Sequence, residues 1–317
     1  MPKQVQYILK RVLYAAITVF VLIVVTFILM HMLPGDPFTG QKAIPPEIKA
    51  ALYAKYGLDQ PLAVQFVKYL ENILKGDLGV SLLDKRPVLQ IIMQAFPVSA
   101  ELGFRALIFA TIIGILLGVV AAVKRGTVWD TLTMLLALIG VSVPSFILGA
   151  LLQYSLGLQL YQATGMQIFA VMGWGAFNTK LLPAFSLALG TIATISRLMR
   201  TNMLDVLNQD YIKTAKAKGL SQSEIVWKHA VRNAVMPVIT IMGPLVAALL
   251  TGTFVVENIF AIPGLGKYFV QCVQMNDYTT IAGTTLFYGS FLVLANLVVD
   301  IVYGLIDPRV KLTGSKE

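Results

Sequence analysis

Six stretches of this chain are each apolar and long enough to cross a lipid bilayer as a helix. They run Val12–Leu33, Val98–Val123, Thr131–Leu156, Leu181–Leu198, Ala234–Val255 and Thr280–Ile306. About 20 residues at 1.5 Å each cover the roughly 30 Å of hydrocarbon. Inside that layer every backbone N–H and C=O must find its partner within the protein, so runs of this length are helices. The rest of the composition agrees. Of 317 residues, 57% are hydrophobic and 13% charged, against about 45–50% and about 25% in soluble domains. Disorder needs the opposite balance. A disulfide scaffold needs more than the lone Cys272. The reading is an all-α polytopic membrane protein. Its least typical span is the fourth, which is short and rich in small residues (Ala184, Ala188, Gly190, Ala193).

The first run follows a basic start (Lys3, Lys10, Arg11) and could be taken for a secretion signal. It exceeds a 7–15-residue signal core, and Leu33-Pro34-Gly35-Asp36-Pro37 is a poor cleavage site, so a retained span is expected. Lys and Arg counts then set the orientation. With the N-terminus inside, the inner segments hold Lys3, Lys10, Arg11, Lys124, Arg125, Arg197, Arg200, Lys213, Lys216, Lys218, Lys228, Arg232, Arg309, Lys311 and Lys316. The two short outer loops hold only Lys180 and Lys267. The expected topology is six spans with both termini inside. The net charge of +9 therefore reads as topology, and nucleic acid is not an expected partner.

Two loops are too long to be connectors. The outer one, Pro34–Pro97, contains helix-like stretches at Pro46–Lys55 and Leu62–Leu74 and is expected to fold as a small cap. The cytoplasmic one, about Met199–Arg232, predicts two short helices. Asn208 or Asp210 is placed to cap the first, Tyr211–Lys218, and Gly219 to end it in the left-handed conformation. Ser221 and Glu224 form a capping box for the second. On the residues alone this loop is either a docking surface or a basic surface resting on anionic headgroups. No nucleotide-binding loop is present. The nearest string, Gly264-Leu265-Gly266-Lys267-Tyr268, has Ala261 for the first glycine and Tyr268 for the magnesium-binding hydroxyl.

Few ionisable groups lie within the spans. Glu101 and Arg105, four apart near the outer end of the second, can pair on one helix face. Asp300 lies near the inner end of the sixth. The Glu101–Arg105 pair reads as either a structural salt bridge or a contact with cargo. Gly114 and Gly118 form a G-x-x-x-G that permits close helix packing, expected within the chain.

The stretch Lys213–Gly219 (KTAKAKG), with Met236-Pro237 downstream, resembles the cytoplasmic E-A-A-x-x-x-G motif of ABC importer membrane subunits. Lys213 and Thr214 depart from its first two positions, and the proline lies later. YGLDQPLAVQF (Tyr56–Phe66), GDLGVS (Gly76–Ser81), RPV (Arg86–Val88), VSVPSFILG (Val141–Gly149), LPAFSLALG (Leu182–Gly190), TAKAKGLS (Thr214–Ser221), HAVRNAVMPVIT (His229–Thr240), IPGLGKY (Ile262–Tyr268) and DPR (Asp307–Arg309) are, in that order, similar to the oligopeptide/dipeptide importer permease subfamily.

That resemblance implies the transmembrane domain of a type I ABC importer. Residues 1–97 are then the first span and a folded outer loop, 98–306 the five-helix core with its coupling loop at 199–232, and 307–317 a cytoplasmic tail. It implies a bacterial plasma-membrane permease that moves di- or oligopeptides. The implied partners are a second homologous permease, two cytoplasmic ATPases that bind the ATP and magnesium, and an external solute-binding protein. No catalytic residue, metal or cofactor is expected in this chain. The expected coupling residues are Asp210, Tyr211, Ala215, Lys218 and Gly219, with Asp300 paired to Arg309 or the partner permease. Nickel and glutathione permeases share these motifs and stand as alternatives. An ion-coupled carrier would need acid or His relays and a repeat between halves, and a membrane enzyme would need a nucleophile or metal motif. Neither is found.

Overall fold

The computed structural model describes residues 3–32, 59–251, 253–275 and 277–306, with side chains at 6–32, 59–250, 253–275, 277–298 and 301. The expected helix at Pro46–Lys55, the side chain of Asp300 and its expected partner Arg309, and the tail 307–317 lie outside these. Among the described residues the chain is helices and turns, with one isolated antiparallel bridge between Val80 and Pro87. The helices are α1 Lys3–Met32, α2 Leu62–Leu74, α3 Val88–Val123, α4 Val128–Ser142, α5 Ser145–Thr164, α6 Phe177–Leu207, α7 Asp210–Ala217, α8 Gln222–Ala234, α9 Met236–Thr251, α10 Phe254–Ile259, α11 Leu265–Gln274 and α12 Tyr278–Ile306.

Helices α1, α3, α6 and α12 are unbroken and apolar enough to span. The pairs α4–α5 and α8–α9 also qualify, but each is bent, by 111° and 51°. The spans number six if each bent pair counts once. The expected continuous third span is therefore corrected. Its helix stops at Ser142, Val143 is extended (φ −96°, ψ 126°), and Pro144 starts the next helix. A residue before proline is pushed away from the helical region by the ring, and proline fits best at the start of a helix. Pro237 acts similarly at the second break, since it sits in the first turn of α9 where its ring opposes a helical residue four back.

Several helices outrun their expected limits, and α1 for one starts at Lys3 rather than Val12. α3 starts ten residues before Val98 and carries Pro97 inside it. Val88, Ile91, Ile92 and Ala95 form a buried i, i+3, i+4, i+7 stripe that extends it. α6 continues past Leu198 to Leu207, so the first part of the expected cytoplasmic loop is helix.

The chain divides into two compact units, residues 1–98 with 263–317, and residues 99–262. In the first, α1 packs along α12, where any side chain at Gly289 would overlap Leu22. Phe96 stands edge-on to Phe287 and Phe291, centroids 4.9 and 5.0 Å away. Asp277 caps α12 and is fully buried. It accepts hydrogen bonds from Ser81 Oγ at 2.5 Å, Leu83 N at 3.3 Å, Thr280 N at 3.2 Å and Thr280 Oγ1 at 2.9 Å. One carboxylate thus ties the 79–87 turn to the start of a span.

Nearby Cys272 is buried, and that burial pushes its thiol up to about 12. Burial favours the neutral thiol over the thiolate, which is the reactive form. We expect a maleimide to modify it only after denaturation. Labelling of the native protein at the rate of an exposed thiol contradicts this burial.

In the second unit α6 is the central helix. It packs against α4, α5, α8, α9 and α10, and more than half of its apolar stretch is buried. This accounts for its weak apolar signal. Ala184, Ala188 and Ala193 are buried against protein and leave room for neighbours. The G-x-x-x-G of α3 lies on α6. A Cβ at Gly114 would fall 2.8 Å from Ile195 Cβ, and one at Gly118 2.6 Å from both Met199 Cβ and Ser196 O.

Candidate functional site

The helix–glycine–helix expected on the cytoplasmic side is built from α6, α7 and α8. α6 ends at Leu207 with Asn208 as its own C-cap, and Asn208 Nδ2 donates back to Leu204 O. Gln209 is extended (φ −71°, ψ 153°) and turns the chain into α7. The expected cap is thereby corrected. Gln209 holds that position without a side-chain bond, Asn208 belongs to the preceding helix, and Asp210 sits inside the first turn. There its charge complements the positive end of the helix dipole, and it pairs with Lys213 Nζ at 2.8 Å.

α7 ends as its glycine predicts. Gly219 adopts φ +79°. Its N–H donates to Lys216 O at 3.0 Å, and Leu220 N–H donates to Ala215 O at 3.3 Å. This pair of bonds is the Schellman closure, which satisfies the carbonyls a helix end leaves open. Two residues on, Ser221 Oγ accepts from Glu224 N and Glu224 Oε2 accepts from Ser221 N, both at 3.3 Å, so the capping box is formed. Lys228 Nζ reaches Glu224 Oε1 at 3.1 Å.

The two faces of α7 differ. Ile212 and Ala215 are buried, whereas Asp210, Tyr211, Lys213, Lys216, Lys218 and Gly219 are exposed. Asn233 Nδ2 donates to Tyr211 OH at 3.0 Å and joins α7 to α8. Of the five residues singled out by sequence, Asp210, Tyr211, Lys218 and Gly219 therefore lie on the presented surface. Ala215 lies underneath and seats the helix. The result is a short helix with a closed C-terminal end and a cationic outer face, seated from below by Ile212 and Ala215. Such an element transmits a push, because its reversal at Gly219 cannot yield without breaking bonds already made.

The Glu101–Arg105 pair is formed, with Arg105 Nε and Nη2 at 2.9 and 2.7 Å from Glu101 Oε1. A third member was not anticipated. Lys180 Nζ lies 2.8 Å from the same oxygen and 4.9 Å from the Trp174 ring centroid. Lys180 reads as a loop residue in the sequence, but α6 starts at Phe177 and carries it.

A second unanticipated pair links α4 and α6. Arg200 Nε and Nη2 donate to Asp130 Oδ1 and Oδ2 at 2.7 and 2.8 Å. Both residues fall just beyond the apolar runs, where opposite charges at two span ends were the available signal.

Two family models cover most of the chain. That of the binding-protein-dependent transport system inner membrane component matches residues 114–312, and that of its N-terminal region matches residues 4–103. The chain is 46% identical to the dipeptide transport system permease protein DppB of Bacillus subtilis, over 97% of this chain and 98% of that one. It is 40% identical to the oligopeptide transport system permease protein OppB of Haemophilus influenzae, over 96% and 99%. Among solved structures, the inward-facing MetNI methionine ABC transporter superposes with a TM-score of 0.55 at 18% identity, over 69% of this chain and 97% of that one. That likeness concerns the fold.

Proposed function

This chain belongs to the family of binding-protein-dependent transport system inner membrane components, and from that premise we propose that it is a permease subunit carrying di- or oligopeptides inward. The observation that carries the cargo is the identity of 46% and 40% over nearly the full length to two permeases named for dipeptides and oligopeptides. The proposed assembly pairs it with a homologous permease, two cytoplasmic ATPases that hold the ATP and magnesium, and an external binding protein that delivers the peptide. α7 is the coupling helix. Its exposed face, Asp210 to Lys218, sits on an ATPase, and closure of the ATPases on ATP moves it as a rigid body. Glu101, Arg105 and Lys180 form a structural ion-pair cluster that fixes the start of α6 to α3.

The assembly reconstituted in liposomes tests this. Uptake of a labelled peptide is expected to require both internal ATP and the external binding protein. Uptake that survives without ATP but collapses with the ion gradient overturns the reading. A variant of the glycine-rich string checks where the nucleotide binds. Lys267→Ala is expected to leave ATP hydrolysis at the wild-type rate, because Gly264–Tyr268 forms the first turn of α11 with Leu265 and Gly266 buried. Loss of hydrolysis in an intact complex contradicts this.

A further inference from the structure

We propose that the Asp130–Arg200 pair is a positioning clamp that makes α4 and α6 move as one lever behind the coupling helix. The proposal rests on the transport reading above.

The two helices meet at two levels. Near the middle, a Cβ at Gly140 of α4 would fall 2.9 Å from Leu189 O and 3.3 Å from Ala193 Cβ of α6. At the inner end, Arg200 grips Asp130 with two parallel bonds of 2.7 and 2.8 Å. Along α4 the two levels are about 15 Å apart, and along α6 about 16 Å, at 1.5 Å per residue. The helices therefore run antiparallel and in register between the two points. Asp130 Oδ2 also accepts from Gly126 N at 3.1 Å, so the turn before α4 is held by the same carboxylate. Among the described residues this is the only hydrogen-bonded tie between α4 and α6.

Position gives the tie its purpose. Beyond Arg200, α6 runs about 10 Å further to Leu207. Two residues then lead into α7, where force enters. Without the tie, the stretch beyond Arg200 is held by its packing alone, with Met203 buried, and part of a push on α7 is spent in bending α6. Tied to α4, that stretch delivers the push to two helices at once.

The chemistry chosen also argues for positioning. A partly buried ion pair adds little net stability, since desolvation offsets most of the attraction and apolar residues do as well. What a two-bond guanidinium–carboxylate pair adds is a fixed relative orientation, which a lysine cannot reproduce.

The test uses the complete complex in proteoliposomes and reads peptide taken up per ATP hydrolysed. Three variants are compared with wild type: Asp130→Asn, Arg200→Lys, and the double apolar replacement Asp130→Leu with Arg200→Met. All are expected to assemble and hydrolyse ATP while the ratio falls about fivefold or more, the lower end of ordinary coupling effects. The double variant matters most, because apolar replacement keeps the fold without the grip. A merely structural role lowers assembly, hydrolysis and uptake together with the ratio unchanged, and that overturns the proposal. So does a wild-type ratio in Arg200→Lys. Amide hydrogen exchange on the same complexes is independent of cargo. Faster exchange over 198–207 of α6 in Asp130→Asn, with 189–195 unchanged, is expected, and unchanged exchange at 198–207 overturns the clamp. If the wild-type complex itself moves no peptide, the cargo reading fails and the exchange result still decides the clamp.

Discussion

Gly219→Pro abolishes ATP-driven uptake while the complex still assembles and hydrolyses ATP. Two separate faults combine at this position. Proline fixes φ near −65°, whereas Gly219 sits at +79°. Proline also lacks the N–H that closes the end of α7 on Lys216 O. The chain then cannot reverse after Lys218, and the exposed face of α7 is re-aimed. Gly219→Ala separates the two faults. It retains the N–H and meets no neighbouring atom, so it carries only the left-handed strain of about 1–2 kcal/mol and is expected to keep most uptake. A bulky residue at Ala215 acts from below by prising α7 off its seat, and is expected to behave like proline. Substrate uptake and ATP hydrolysis measured together in liposomes check all three. Normal uptake by Gly219→Pro removes α7 from the coupling path.

Asp277→Ala costs the fold about 3 kcal/mol, the scale expected when buried donors lose their acceptor. The fully buried carboxylate accepts from Ser81 Oγ, Leu83 N, Thr280 N and Thr280 Oγ1. Its removal orphans these groups and uncaps α12. Thermal unfolding in detergent is expected to shift downward, and limited proteolysis to open the 79–87 turn first. Ser81→Ala is expected to cost less, because Asp277 keeps its bonds to Thr280. The two losses are also expected to be less than additive, since both break one network. An unchanged melting temperature in Asp277→Ala contradicts the network.

The residues that could be read in advance share one property: their behaviour is set within a few positions of chain. Gly219 ends a helix, and Ser221 with Glu224 starts one, because the bonds involved span three to five residues. The apolar runs are legible for the same reason, as hydrocarbon acts on each run separately. The break at Val143-Pro144 was equally local, yet the apolar content around it hid it. Apolarity reports what a segment is dissolved in, and a bent helix pair is as apolar as a straight one.

By itself, then, the sequence determined the all-helical membrane class, the family pattern along nearly the whole chain, the Glu101–Arg105 pair and the glycine-closed end of α7. Only the tertiary structure decided that Ala215 faces inward, that Lys180 joins Glu101 from 79 residues away, that Arg200 grips Asp130 from 70 away, and that Asp277 collects Ser81 from 196 away. The reason is one of range. Each such partner is chosen when helices pack, and a charge at the end of an apolar run marks that a partner is needed without naming which.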